Sequence, residues 1–235
     1  MRQIVLDTET TGLDWQYGHR VIEIGCVEIA NRRRTNNNFH VYINPERAID
    51  AAAEEVHGLS LADLQDKPLF ADVAADFLNY VGDSELIIHN ASFDVGFLDN
   101  ELRMSGHEEL CLSKANPVLD TLALARRMHP GQRNTLDALC KRYSIDNSRR
   151  DLHGALLDSQ LLADVYLAMT GGQTALSLGE IISDANDSSA VVHRVIDRAG
   201  HNLARIKIAK DELAAHEKQL DGIDKSSDEG SVWRR

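Results

Sequence analysis

The chain has 235 residues, of which 43% are hydrophobic, enough for one sizeable domain with an appendage or for two small domains. No stretch approaches the roughly 18 to 20 apolar residues that span a bilayer, and no signal-type apolar run precedes the first acidic residue, so we expect a cytoplasmic protein. The net charge of -12 argues against a broad basic face, so a polyanionic ligand would need metal ions in the site or a partner that delivers it. Neither zinc nor disulfides are expected, because three cysteines lie far apart without C-x-x-C spacing: Cys26, Cys111 and Cys140.

The first predicted element is a buried strand near the N-terminus. Residues 4–6 are consecutive and apolar, and the segment Asp-Thr-Glu-Thr-Thr-Gly follows at 7–12. Side chains at positions i and i+2 of a strand share a face, so Asp7 and Glu9 point the same way. Two adjacent carboxylates at the end of a buried strand repel each other unless a cation lies between them, and the alternative is an ordinary strand end with two solvated acids.

The segments that follow predict a mixed α/β sheet. Residues 21–29 alternate with a period of two, and 39–43 follow an Arg- and Asn-rich turn at 31–38, which predicts a three-stranded meander. A helix followed by a strand then predicts a parallel crossover, and hence a mixed sheet with helices packed on it. The other predicted elements are helices at 48–56 and 70–81, a strand at 85–89, a helix carrying Phe97 and Leu98, helices at 120–128 and 135–143, and a long helix that ends near Met169.

Three further residues complete a candidate constellation. Asp94 lies where the fourth strand leads into a helix, a position at which α/β proteins gather ligand-binding groups. His153 and Asp158 are five residues apart, about 140° around a regular helix, so they can share a site only if His153 lies on the loop before the helix. The ordinary alternatives are a helix-terminal acid for Asp94 and an exposed histidine at a helix start for His153.

The order Asp7-x-Glu9, Asp94 and His153-x4-Asp158 resembles the DEDDh branch of the DEDD exonuclease superfamily. The segments His-Asn-Ala-Ser-Phe-Asp at 89–94 and Leu-His-Gly-Ala-Leu-Leu-Asp at 152–158 resemble the epsilon family of proofreading subunits of bacterial DNA polymerase III, as do residues 212–217 and Trp233. The resemblance implies an RNase H-like domain over 1–172 and a 3′–5′ exonuclease that removes mispaired 3′-terminal nucleotides as 5′-monophosphates.

The chemistry of phosphodiester hydrolysis accounts for the residue types. Two divalent ions roughly 3.5 to 4 Å apart stabilise charge on the attacking and leaving oxygens, and hard Mg²⁺ or Mn²⁺ prefers oxygen ligands. The resemblance implies that Asp7 bridges both ions, that Glu9 and Asp158 complete the water-activating one, and that Asp94 supports the other. His153, with an unperturbed pKa of about 6.5, would be the general base.

The resemblance also implies a set of contacts with the terminal nucleotide. These contacts would come from Asp7, Glu9, Thr10, His57 and Asp158. For His57 the alternative is a role in capping the preceding helix. The pattern departs from the family near position 52, where Ala52 stands in place of a glutamate, so whether Glu54 or Glu55 touches the nucleotide stays open.

The C-terminal part of the sequence predicts a flexible linker followed by a partner-binding tail. Residues 173–189 are rich in Gly, Ser, Asp and Asn, which is typical of a flexible linker, and 173–178 resemble a sliding-clamp-binding peptide with Gln173, Leu176 and Leu178 as its anchors. Residues 190–235 carry a helical apolar stripe that must be covered, either by its own domain or, as the resemblance implies, by the polymerase catalytic (alpha) subunit. A small theta-like subunit on the exonuclease domain is a further candidate partner. We expect the protein in the cytoplasm, at the nucleoid-associated replisome.

Two other functions are compatible with the same residues. One is a DEDDh ribonuclease that trims RNA 3′ ends, since no residue reads a 2′-hydroxyl unambiguously. The other is a non-catalytic polymerase accessory scaffold, against which the full set of four acids and the histidine argues.

Overall fold

The computed structural model describes residues 2–107, 111–148, 150, 152–171, 208–226 and 233. They belong to two compact units, Met1–Ser177 and Leu178–Arg235. The predicted linker at 173–189, the clamp-binding peptide at 173–178 and most of the tail lie outside the described residues. None of the described helices combines the length and apolar character needed to cross a lipid bilayer.

The elements of the described residues are as follows. The strands are β1 (Arg2–Thr10), β2 (Val21–Ala30), β3 (Arg33–Tyr42), β4 (Glu85–Ile88) and β5 (Val118–Asp120). The helices are α1 (Ala51–His57), α2 (Leu61–Leu64), α3 (Phe70–Val81), α4 (Ala91–Met104), α5 (Leu112–Ala115), α6 (Thr121–Met128), α7 (Leu136–Tyr143), α8 (Ala155–Thr170) and, in the second unit, α9 (Lys210–Ser226). A 3₁₀ turn spans Trp15–Tyr17.

The five strands form one sheet in the order β3-β2-β1-β4-β5. The first three strands are antiparallel neighbours, whereas β4 pairs parallel with both β1 and β5. The predicted mixed sheet with flanking helices is therefore confirmed. β1 is its central strand, which explains why residues 4–6 are apolar on both faces.

Each face of β1 packs into a different half of the core. Ile4 and Leu6 join a cluster that includes residues of α3 and α4, whereas Val5 joins a cluster built from α7 and α8. Because alternate residues share a face, Asp7 and Glu9 continue the face of Val5, which α8 covers. The periodicity of one strand thus directs both acids toward the helix that carries the last predicted acid.

Gly25 allows α8 to approach the sheet beside Asp7. Gly25 is the cross-strand partner of Asp7, and a Cβ atom at this position would lie 2.2 Å from the backbone of Ala155. The hydroxyl of Ser159 donates to the Gly25 carbonyl over 2.8 Å and fixes the contact. Any larger residue would push the first turn of α8 away from the carboxylates of β1.

Several predicted boundaries are correct and others are wrong. The helix at 70–81 is α3, and Thr135 caps α7 by accepting from the amide of Ala138. The turn predicted at 31–38 is wrong, because β3 begins at Arg33 and the turn is the pair Asn31-Arg32, both with positive φ, as in a two-residue hairpin. The first helix begins at Ala51 rather than at 48. The short elements β5, α2 and α5 were not predicted.

Candidate active site

Four acids and one histidine of the constellation line a single cleft. Its cavity has a volume of about 850 Å³, and its lining includes Asp7, Glu9, Asp94, His153 and Asp158. The ligand atoms of Glu9, His153 and Asp158 all lie within 4.8 Å of one another. The fold therefore gathers residues from β1, from the start of α4 and from the loop and first turn of α8.

Asp94 is anchored to the first strand. It is 3% exposed on the first turn of α4, and its Oδ1 accepts from the backbone amide of Thr8 over 3.0 Å and from the Thr8 hydroxyl over 2.7 Å. Thr8 occupies the face of β1 opposite to Asp7 and Glu9. These two bonds hold one oxygen of Asp94 in place while its side chain still reaches the cleft.

His153 lies on the loop that precedes α8, where the five-residue spacing requires it to be. Its amide donates to the carbonyl of Val56 over 3.0 Å, so the loop is joined to the end of α1. A Cβ atom at Gly58 would lie 2.5 Å from Cδ1 of Leu152, which shows that the same loop rests against the glycine that ends α1. The ring of His153 is 44% exposed, and its Nδ1 lies 3.5 Å from Oδ2 of Asp158.

Burial, with added repulsion from neighbouring carboxylates, raises the pKa values of the acids in the cleft. Burial raises the pKa of Glu9 to about 8, and the charges of Asp158, Glu23 and Asp94 add to the effect. Burial also raises the pKa of Asp94 to about 7, against the hydrogen bonds from Thr8. Burial, and then the neighbouring carboxylates, raise the pKa of Asp7 well above its ordinary value. A cation between these groups would lower all three pKa values.

The donor set fits a divalent metal ion. Oε1 of Glu9 is buried and has no hydrogen-bond partner among the residues that the structure describes, so it is an acceptor available to a ligand. The neighbouring ligand atoms are carboxylate oxygens, which hard cations prefer, with one imidazole beside them. The geometry and the raised pKa values together are those of a site that a cation would complete.

His57 and Thr10 are buried and, unlike the acids, are not among the residues that line the cleft. His57 is 5% exposed, its Nδ1 accepts from the amide of Leu59 over 3.0 Å, and its buried Nε2 makes no well-formed hydrogen bond among the described residues, although the backbone of Thr10 lies near the ring. Burial lowers its pKa, so the ring is neutral near pH 7 and carries its proton on Nε2. The hydroxyl of Thr10 donates to the carbonyl of Gly12 and shapes the turn after β1. The exposed residues Glu54 and Glu55 lie outside the lining of the cleft.

Arg150 is the principal site residue that sequence reasoning missed. Its side chain is 7% exposed, and Nε and Nη2 contact the two carboxylate oxygens of Asp158. Nη1 donates to Asp137 over 2.8 Å, and Nη2 also donates to Nδ1 of His153 over 3.0 Å. The available signal was an arginine pair at 149–150 in front of the histidine motif of an otherwise acidic chain.

The cleft continues from the carboxylates toward a basic rim. Arg126 and Arg133, both exposed, are among its lining residues, together with Asn90 and Phe93. Within the described part of the chain, no ion pair engages either of these two arginines. The lining of the cleft in this acidic protein therefore includes two exposed cations as well as the carboxylates.

The mixed sheet and the carboxylate cluster define the class of protein, an exonuclease of RNase H-like fold. Residues 4–166 match the RNase_T family, whose description is exonuclease. The chain is 51% identical over 239 residues to DNA polymerase III subunit epsilon of Salmonella typhimurium, covering 99% of this chain and 97% of the relative. Identity with subunit epsilon of Escherichia coli is 50% over 240 residues, with coverage of 99% and 97%. The chain belongs to the DNA polymerase III subunit epsilon family of exonucleases.

Solved structures support the fold. Exonuclease X in complex with 5′ overhanging duplex DNA matches with a TM-score of 0.56 at 26% identity, covering 72% of this chain and 91% of that one. The zinc-bound complex of E. coli exonuclease I with single-stranded DNA matches with a TM-score of 0.64 at 17% identity, covering 73% and 41%. The second likeness concerns the fold alone.

Proposed function

We propose that the chain proofreads for DNA polymerase III by removing mispaired nucleotides from a DNA 3′ end as 5′-monophosphates. The observation that carries the proposal is the convergence of four carboxylates on one cleft, with the buried Oε1 of Glu9 left without a partner among the described residues. The family membership of the chain supports the same reaction. An exonuclease needs a cleft that accepts a strand end, and this cleft combines the acids with two exposed arginines at its rim.

The cofactor that we propose is a pair of divalent ions, Mg²⁺ or Mn²⁺. Asp7, Glu9 and Asp158 would hold one ion, and Asp7 with Asp94 would hold the other. When bound, the ions supply charge stabilisation to the attacking and leaving oxygens of an in-line displacement. The hydrogen bonds from Thr8 keep Asp94 oriented, while Gly25 sets the distance between β1 and Asp158.

His153 is the proposed general base. Partial burial and the nearby charge of Arg150 lower its pKa, so its ring is neutral near pH 7, which is the protonation state that a general base requires. The backbone bond to Val56 and the contact of Leu152 with Gly58 hold its loop at the edge of the cleft. The 44% exposure of its ring leaves a path for the proton to reach solvent.

The terminal nucleotide has two proposed contacts beyond the carboxylates. The buried Nε2–H of His57 is a donor that a nucleotide oxygen would satisfy once the ring is reached. Leu13, 86% exposed at the mouth of the cleft, offers an apolar surface to a base. Arg126 and Arg133 would meet backbone phosphates of the strand, which offsets the net charge of the protein locally.

The polymerase alpha subunit is the proposed partner of the tail, and the sliding clamp that of residues 173–178. Within the described part of the tail, Leu213 and Ile223 of α9 are exposed, as a partner-binding face requires. A theta-like subunit would bind the exonuclease unit. The assembly would act at the replisome, in the cytoplasm.

A nuclease assay on matched DNA and RNA oligonucleotides tests the proposal. With Mg²⁺ the chain should shorten single-stranded DNA from its 3′ end and release 5′-monophosphates, and Asp7→Asn should remove the activity. Faster degradation of RNA would favour the ribonuclease alternative instead. Absence of metal-dependent hydrolysis of either polymer would favour the scaffold.

A further inference from the structure

Arg150 is the most deeply embedded cation of the cleft. Its side chain is 7% exposed, and all three of its guanidinium nitrogens are engaged. Nε and Nη2 chelate the two oxygens of Asp158, Nη1 donates to Asp137, and Nη2 reaches Nδ1 of His153. The remaining carboxylates of the cluster, on β1 and α4, have no such contact with it within the described residues.

This arrangement engages both carboxylate oxygens of Asp158, the residue that would share a metal ion with Asp7 and Glu9. Of the three residues whose ligand atoms converge within 4.8 Å, Asp158 and His153 are both hydrogen-bonded to Arg150, and only Glu9 retains an unpartnered oxygen. A bidentate arginine neutralises a buried carboxylate much as a bound cation does. A divalent ion must therefore compete with the positive charge of Arg150 for the carboxylate of Asp158.

The contact also determines which nitrogen of His153 carries the proton. Arginine has no acceptor, so Nδ1 of His153 must accept from Nη2 of Arg150, and the neutral ring then carries its proton on Nε2. In that tautomer neither ring nitrogen has a free lone pair. The histidine is unable to take a proton from water until Arg150 leaves Nδ1.

We propose that Arg150 is an internal counter-cation that closes the Asp158–His153 half of the site in the metal-free protein and is displaced when a divalent ion binds. The inference rests on the metal site of the proposed function. Displacement would free Asp158 for the ion and Nδ1 of His153 for a new tautomer at the same moment. Arg150 has a separate anchor in Asp137, which is exposed at the cleft wall, so the guanidinium can turn without leaving the cleft.

The first test measures metal affinity rather than activity. Mn²⁺ is titrated into the full chain without DNA, by calorimetry or by the electron paramagnetic resonance of free Mn²⁺, for the unsubstituted protein and for Arg150→Gln. The Gln variant should bind Mn²⁺ about tenfold or more tightly, because the ion no longer competes with a fixed positive charge. Arg34→Gln is the matched control, because Arg34 pairs with Asp164 on the outer face of the same helix and should leave Mn²⁺ affinity unchanged.

An unchanged or weaker affinity in Arg150→Gln would overturn the inference, since it would make Arg150 a support of the site rather than a competitor. If the unsubstituted chain binds no Mn²⁺, the proposed metal site and the inference both fail. If it binds Mn²⁺ and the Gln variant binds no more tightly, only the role of Arg150 fails.

The second test needs no substitution at Arg150 and so remains valid if that variant does not fold. The ring nitrogens of His153 are observed by ¹⁵N NMR in the metal-free chain and at saturating Mg²⁺, with the His153→Ala spectrum used for assignment. The metal-free ring should show a protonated Nε2 and a hydrogen-bonded Nδ1. The Nδ1 signal should shift on Mg²⁺ saturation as the bond to Arg150 is lost, and an unchanged signal would overturn the inference.

Discussion

Replacing Glu9 by Gln should stabilise the metal-free protein at alkaline pH. The substitution keeps the shape of the side chain and removes a charge that is 8% exposed and faces other acids. Burial raises the pKa of Glu9 from 4.5 to about 8 in the folded chain, with the charge of Asp158 as the next cause. The unfolded chain should retain the ordinary value.

The sign and the size follow from proton linkage. Because the folded pKa lies above the unfolded one, the folded state keeps a proton that the unfolded state releases, and stability falls as pH rises from the unfolded pKa toward the folded pKa. For the values of Glu9, the free energy of unfolding should fall by about 3 kcal/mol between pH 5 and pH 8 on account of this group alone. Glu9→Gln lacks this loss, so its melting temperature at pH 8 should exceed that of the unsubstituted protein by roughly 6 to 12 °C.

Thermal melts at pH 5 and pH 8, with chelator and with Mn²⁺, provide the assay. Glu55→Gln, an exposed change of the same type on α1, is the control and should alter neither pH dependence nor metal dependence. With Mn²⁺ the unsubstituted protein should have the higher melting temperature, since it gains more stability than Glu9→Gln from an ion that Glu9 binds. Equal pH slopes for Glu9→Gln and the unsubstituted protein would refute the assigned burial and repulsion of this carboxylate.

Three further predictions concern the base, the packing and the tail. His153→Ala should reduce kcat by about a hundredfold or more, because the ring accepts the proton of the attacking water. The melting temperature should change little, because the ring is partly exposed. A normal kcat in steady-state hydrolysis of an oligonucleotide would rule out His153 as the base. Gly25→Ala should lower the free energy of unfolding in urea by about 2 kcal/mol or more, because its Cβ would overlap the backbone of Ala155. The control Gly154→Ala should lower it far less, because a Cβ at that position meets nothing within 4 Å. Equal losses of stability in the two variants would contradict the close approach of α8. Deletion of residues 190–235 should abolish binding to the polymerase alpha subunit, measured by gel filtration, while hydrolysis of free oligonucleotides continues. If hydrolysis is lost as well, the tail is part of the folded enzyme and the prediction is wrong.

Much of the central fold could be predicted because it depends on local periodicity. The apolar run of β1, the alternation of β2 and the helical spacing of α3 each encode an element within a few residues. β5 was missed because it has only three residues, all half-buried, and no alternation to detect. β3 was shortened because its polar, mostly exposed first half looks like a turn in composition, although the hairpin needs only Asn31 and Arg32 to reverse the chain.

The sequence by itself determined which acids could cooperate. The period of a strand places Asp7 and Glu9 on one face, and the five-residue spacing of His153 and Asp158 requires the histidine to lie off the helix. These statements concern neighbours along the chain, for which backbone geometry is sufficient.

Only the tertiary structure decided how the acids are positioned and how strongly their environment raises their pKa values. The contact of Gly25 with α8, the bonds of Thr8 to Asp94 and the chelation of Asp158 by Arg150 join residues whose relative placement depends on packing and side-chain rotamers. The raised pKa values follow from the burial of charges that the fold brings together, and burial is a property of the whole core. Sequence spacing could therefore identify the candidate ligands. The burial and charge repulsion that favour a bound cation arise only when the sheet and α8 pack together.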